Sequence, residues 1–231
     1  MTSTLIQIAT NSGAMGAYVA SPAKDTAPAV LLISTIFGID DNMKGMCDDL
    51  AERGYVAVAP NMFWRDEDPD AMALPQDMER AVKRVMRYDF AQGMGDLRFA
   101  IEAARSQPGC NGKVALLGFC FGGPFAWRAA CDGLGIGAGV SFHGTNVSSA
   151  MRPGDQPSCP VSLHYGDKDD FAPPEELAAV RKVAEDTGSE FIIHPGAGHG
   201  YMVPTDRGHY DPDAARASWN RALELVDALR D

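Results

Sequence analysis

The chain has 231 residues, 45% hydrophobic and 22% charged, the composition of an ordinary globular protein rather than a disordered or fibrous one. Its formal net charge of −11 repels nucleic-acid phosphates and anionic lipid, so neither nucleic acid nor membrane is an expected partner. The five cysteines, Cys47, Cys110, Cys120, Cys131 and Cys159, are odd in number and include no CxxC pair, which argues against a disulfide framework or a zinc knuckle.

Residues 4–9 and 15–20 read as short strands around the turn Asn11, Ser12, Gly13. No basic-then-apolar leader precedes them, and the longest apolar run, residues 27–33, is far below the ~20 residues of a bilayer span. A cytoplasmic location is therefore expected. Residues 29–34 and 55–59 are continuous apolar runs, the pattern of strands buried on both faces. Between them residues 40–53 read as a helix stopped by Gly54. Residues 63–74, rich in acid, proline and methionine, read as a surface excursion. Helical spacing returns over 76–88 and 94–106, with Leu97, Ile101 and Ala104 on one stripe. Strands follow at 113–119, 137–142, 160–165 and 190–194. Helices are expected at 122–131, 174–187 and 211–229. This alternation predicts a single α/β domain over residues 1–231, with a mostly parallel central sheet and helices on both faces. Chemistry in such sheets collects at the carboxyl ends of the strands.

Gly118-Phe119-Cys120-Phe121-Gly122 stands between a buried strand and a helix of small residues. That is the setting of a nucleophile elbow, a turn too tight for a side chain two positions before or after the nucleophile. It places the Cys120 sulfur at a helix N-terminus, where backbone N–H groups favour thiolate. Such a nucleophile needs a base, and the base an orienting acid. Asp169, three residues after Gly166 and four before Pro173, is the expected acid, with Asp167 and Asp170 as competitors. His199, in Gly198-His199-Gly200, is the expected base. The order nucleophile, acid, histidine is that of α/β-hydrolases. His164 and His194 fall within strand patterns and suit core or edge roles; His143 ends a strand beside Gly144 and could line the pocket. The expected oxyanion donors are the backbone N–H groups of Phe121 and, in Thr35-Ile36-Phe37-Gly38, of Ile36.

These segments, with Gly95-Asp96-Leu97 and the closing stretch Tyr210-Asp211-Pro212 to Trp219-Asn220-Arg221, resemble the dienelactone hydrolase family (carboxymethylenebutenolidases) of α/β-hydrolases. The resemblance runs from Ala29 to the last helix. It implies the α/β-hydrolase fold and a Cys–His–Asp triad of Cys120, His199 and Asp169. The implied activity is cleavage of a small-molecule ester or lactone through a thioester, with no metal and no organic cofactor, in a monomer or weak homodimer.

Two positions depart from that family. Where members acting on dienelactone carry a glutamate that helps activate the cysteine, this chain has Thr35. The two arginines that hold the substrate carboxylate in those enzymes align with Met78 and Val203. Arg80, Arg84, Arg87 and Arg207 lie nearby in sequence. A bidentate arginine is hard to replace, so a neutral or bulkier substrate is expected. Thr35, Trp64, Arg80, His143 and Tyr201 are the candidate substrate contacts, and Met62 and Phe63 could add apolar wall. A general carboxylesterase or thioesterase is the alternative within hydrolases. A binding protein with a redox-sensitive Cys120 is the alternative outside them.

Overall fold

The Asn11–Ser12 turn closes an antiparallel hairpin in the computed structural model, which describes residues 1–23, 26–206 and 208–231. The hairpin joins β1 (Thr2–Thr10) to β2 (Gly13–Ser21), in register from Thr2↔Ser21 to Thr10↔Gly13. It belongs to the first of two compact units, Met1–Ala115 with Leu229–Asp231; the second is Leu116–Ala228.

In the first unit the strand order is β1-β2-β4-β3, with β3 at Ala27–Ile33 and β4 at Val56–Pro60. β4 pairs antiparallel with β2 and parallel with β3. Every residue of β3 and β4 is buried, as their unbroken apolar runs require, whereas β2 buries Met15, Ala17 and Val19 with a period of two. Helix α1 (Asp41–Glu52) starts where the Asp40 carboxylate accepts the Met43 N–H at 2.9 Å, and stops at Gly54, φ +90°. Helix α2 spans Met78–Met86 and α3 spans Phe90–Arg105. α3 buries the expected stripe of Leu97, Ile101 and Ala104, but begins four residues earlier than the apolar spacing indicates. Asp89 caps it by accepting from Gln92 N at 3.0 Å. Gly93 in its first turns hides the helix in the sequence, and a Cβ there would lie 2.1 Å from the Tyr88 hydroxyl.

The acidic excursion after β4 is pinned rather than loose. Met62, Phe63 and Met72 are buried, and the buried Arg84 guanidinium donates to the carbonyls of Asp68 (3.0 Å), Asp70 (2.7 Å) and Ile36 (2.6 Å) while lying 4.0 Å from the Phe63 ring centre.

Strand β5 (Cys110–Phe119) begins in the first unit and ends in the second. The second unit continues in chain order, β5-β6-β7-β8, with β6 at Ala138–Phe142, β7 at Val161–Lys168 and β8 at Glu190–Gly198. β6, β7 and β8 are parallel neighbours. Helices α4 (Gly123–Cys131), α5 (Val147–Ala150), α6 (Pro174–Thr187) and α7 (Pro212–Asp227) complete it. α4 is buried over almost its whole length. Trp127 Nε1 donates to Asp155 at 2.9 Å, and the Arg128 guanidinium bridges Asp155 and Asp132. The eight strands are mostly parallel, the α/β class the sequence predicts. Among the described residues no helix is long and apolar enough to cross a membrane.

Candidate active site

Each expected member of the triad is the first residue past the end of a strand in the second unit. Cys120 follows β5, Asp169 follows β7 and His199 follows β8. The polypeptide turns sharply at Cys120, whose φ of +53° is rare for a non-glycine residue. A Cβ on Gly118 would lie 2.1 Å from the Gly122 carbonyl oxygen, and one on Gly123 2.5 Å from Ser141 Oγ, so this bend accepts only glycine at both positions. The 3₁₀ turn Cys120–Gly122 leads directly into α4, and the Cys120 carbonyl accepts the Thr145 N–H at 3.1 Å.

Asp169, Cys120 and His199 form a connected chain. His199 Nδ1 bonds Asp169 Oδ1 at 2.9 Å and Oδ2 at 3.0 Å, and His199 Nε2 lies 3.2 Å from Cys120 Sγ. The Asp169 side chain is fully buried and also accepts the Phe171 N–H at 2.9 Å, so its carboxylate has a fixed aim. Burial opposes a charged His199, but the Asp169 carboxylate and the Cys120 sulfur outweigh it and raise its pKa from 6.5 to about 10. The imidazole is therefore an imidazolium at neutral pH, poised beside the sulfur. Asp167 is used elsewhere, accepting the Gly196 N–H at 2.6 Å.

His143 is the first residue past β6. Its ring is wholly buried and stands edge-on to His199, centroids 4.9 Å apart, and to Tyr201 at 5.5 Å. Burial, reinforced by His199, holds its pKa well below the usual imidazole value. Tyr201 is buried too, its hydroxyl 2.8 Å from Ser218 Oγ. His164 and His194 are core residues: Ser162 Oγ meets His164 Nε2 at 3.0 Å, and His194 Nε2 meets both His164 Nδ1 at 3.1 Å and Ser218 Oγ at 2.8 Å.

Phe171 escapes sequence reasoning. It is 62% exposed, yet its ring lies against His199 with centroids 4.7 Å apart. Its only signal is an aromatic residue two positions after the acid, in an otherwise polar loop.

The other expected contacts lie in the first unit. Thr35 Oγ1 accepts the Phe37 N–H at 3.2 Å, and the Ile36 peptide is held through its carbonyl by Arg84. Trp64 Nε1 donates to Asp96 at 2.9 Å. The arginines near in sequence are engaged within their own unit: Arg80 with Asp68 and Asp77, Arg84 with three carbonyls, and Arg87 with Asp66. Arg207 lies outside the described residues.

The sequence profile of the dienelactone hydrolase family matches residues 15–229. The chain belongs to this family. It is 32% identical over 222 residues to the carboxymethylenebutenolidase of Pseudomonas putida, covering 93% of this chain and 92% of that one. It is 29% identical over 231 residues to carboxymethylenebutenolidase 1 of Cupriavidus pinatubonensis, covering 98% and 97%. Among solved structures, a dienelactone hydrolase-like promiscuous phosphotriesterase from metagenomic libraries superposes with a TM-score of 0.83 at 23% identity, covering 100% of this chain and 99% of that one. A dienelactone hydrolase from Anabaena variabilis gives 0.71 at 17% identity, covering 100% and 99%. These likenesses establish the α/β-hydrolase fold, and family membership makes the chain a hydrolase.

Proposed function

We propose that the chain hydrolyses a small carboxylic ester or lactone with Cys120 as nucleophile, His199 as proton carrier and Asp169 as its orienting acid. The observation that carries this reading is the continuous contact from Asp169 through His199 to Cys120 Sγ at 3.2 Å. The sulfur, paired with imidazolium, attacks the carbonyl carbon and forms a tetrahedral intermediate. The Phe121 N–H, in the 3₁₀ turn that leads into α4, stabilises the oxyanion. His199 gives its proton to the departing alkoxide, leaving a thioester on Cys120. Now neutral, His199 draws a proton from water, and the resulting attack releases the acid and restores the pair.

A neutral substrate is the preferred class. Met78 and Val203 carry no charge where a carboxylate clamp is expected, and Arg80, Arg84 and Arg87 are engaged with acids and carbonyls of the first unit. Thr35 cannot act as a base at neutral pH, so activation of the sulfur rests on His199 and the helix terminus. The test is turnover of p-nitrophenyl acetate, a neutral enol-lactone and a carboxylate-bearing enol-lactone. The neutral substrates should be preferred, and Cys120→Ala should abolish turnover of all three while remaining folded. Full activity in Cys120→Ala would refute the assignment of the nucleophile.

A further inference from the structure

The same strand ends hold a fourth group that the proposed hydrolysis leaves unused. β5, β6 and β8 are each followed directly by a thiol or imidazole donor, Cys120, His143 and His199, and one ligand atom from each lies within 4.8 Å of the others. His143 is wholly buried, and neither ring nitrogen has a hydrogen-bond partner among the described residues. Buried polar side chains are nearly always satisfied, so an imidazole held this way beside a thiol and a second imidazole points to a ligand that accepts lone pairs. Its left-handed backbone, φ +40°, turns it off the end of β6, and its N–H donates to the His164 carbonyl at 2.8 Å.

We propose that Cys120, His143 and His199 form a binding site for a thiophilic divalent cation of the zinc class, and that its occupancy reversibly inactivates the enzyme. The inactivation rests on the reading of Cys120 as nucleophile; the binding does not. Thiolate and imidazole donors select zinc-like ions over magnesium or calcium. Around a tetrahedral zinc, with Zn–S about 2.3 Å and Zn–N about 2.0–2.1 Å, donor atoms stand roughly 3.3–3.7 Å apart. Cys120 Sγ and His199 Nε2, at 3.2 Å, already approach that spacing, and His143, within 4.8 Å of both, has to close by at most roughly 1.5 Å. Asp169 stands behind His199 on Nδ1, as a carboxylate does behind most metal-bound histidines, and leaves Nε2 for the ion. Three protein donors leave a fourth position for water. Binding exchanges protons for metal: the imidazolium or thiol proton leaves to solvent, and the sulfur forms its bond to the ion as thiolate. Both the sulfur's attack and proton transfer by His199 are then blocked.

The experiment is a Co²⁺ titration of the metal-free protein, followed by displacement with Zn²⁺ and X-ray absorption at the zinc edge. The expected result is one Co²⁺ per chain with a near-ultraviolet thiolate charge-transfer band, a zinc shell of one sulfur and two imidazoles, and ester turnover lost with Zn²⁺ and restored by EDTA. His143→Gln should bind Zn²⁺ at least tenfold more weakly, and Cys120→Ser should lose the charge-transfer band. Absence of binding, a shell with one imidazole or no sulfur, or unchanged affinity in a folded His143→Gln would overturn the proposal. The zinc-edge measurement on the unsubstituted protein decides the matter if that variant does not fold. Turnover assayed in EDTA tests the hydrolase reading separately: an inactive protein that binds Zn²⁺ refutes that reading and leaves the site standing.

Discussion

His199 Nε2 lies 3.2 Å from Cys120 Sγ across 79 residues of chain, with Asp169 on the opposite ring nitrogen. Two strand ends thus bring the proposed acid and the proposed base to the proposed nucleophile on a third. Beside the sulfur, the Asp169 carboxylate helps hold the His199 imidazole protonated until about pH 10, so that His199 has a proton to give.

That assignment has a definite pH consequence. Activity that needs the imidazolium to protonate the leaving group should fall as pH rises through about 10. Asp169→Asn removes a contact that raises the His199 pKa, so this alkaline limb should move toward lower pH, and turnover should fall by roughly 10³–10⁴. NMR titration of the His199 ring proton checks the shift independently of catalysis. A limb unmoved in Asp169→Asn would separate Asp169 from the base.

The same shift links to stability. A histidine pKa raised on folding contributes stability that is fully present below about pH 6.5 and is lost as pH rises from there through about 10. In urea unfolding, the stability that His199 gains from Asp169 should therefore be larger at pH 6 than at pH 10. Comparison of wild type with Asp169→Asn at the two pH values reads this difference directly.

Gly118→Ala should be strongly destabilising. Its Cβ would lie 2.1 Å from the Gly122 carbonyl oxygen, backbone that cannot turn aside without opening the bend at Cys120. A loss of about 2–3 kcal/mol is expected, lowering Tm by roughly 4–12 °C for a chain of this size. Calorimetry is the check, and Gly112→Ala is a comparison: no atom crowds its Cβ, so only the strain of its φ of +89° is felt there.

Arg84→Met probes the pinned excursion. The substitution leaves the carbonyls of Asp68, Asp70 and Ile36 without their donor, on the order of 3 kcal/mol. Faster amide exchange should appear across residues 63–74 and around Ile36. Lysine, a single point of charge, should not restore the fork.

Phe171→Ala should separate activity from stability. Its ring is mostly exposed, so Tm should barely change. Its contact with His199 is of the aromatic kind worth about 0.5–1.5 kcal/mol, so up to about tenfold in kcat/KM is at stake. Steady-state kinetics beside a melting curve is sufficient.

The strand-and-helix alternation, the glycine-flanked Cys120 and the glycine-rich turn at His199 were legible because each is a local pattern with a local cause. Asp169 was legible only by its distance from Gly166 and Pro173, and its aim is set by a contact 30 residues away. β7 and β8 run three and four residues past the ends that the apolar pattern predicts. Gly166 and Gly196 look like strand stops, yet the pairing resumes at Lys168↔Gly198 after a register shift. Gly166 is there because β8 passes so close that a Cβ would meet the Ala197 carbonyl oxygen at 2.0 Å. The placement of Phe171 and of the His143 ring, whose nitrogens have no hydrogen-bond partner among the described residues, depends on which loops meet in space, and no spacing along the chain encodes that. The excursion misleads for the same reason: it looks loose until Arg80 and Arg87 are seen to hold its carboxylates and Arg84 its backbone carbonyls.

The central claim is that the acyl group passes through the Cys120 sulfur. Rapid acid quench during turnover of p-nitrophenyl acetate, followed by mass spectrometry of the digested protein, addresses it directly. One acetyl group on the peptide containing Cys120, absent from Cys120→Ala, is the predicted result. Undiminished turnover with that peptide unmodified, or the acetyl group found on another residue, would contradict the account.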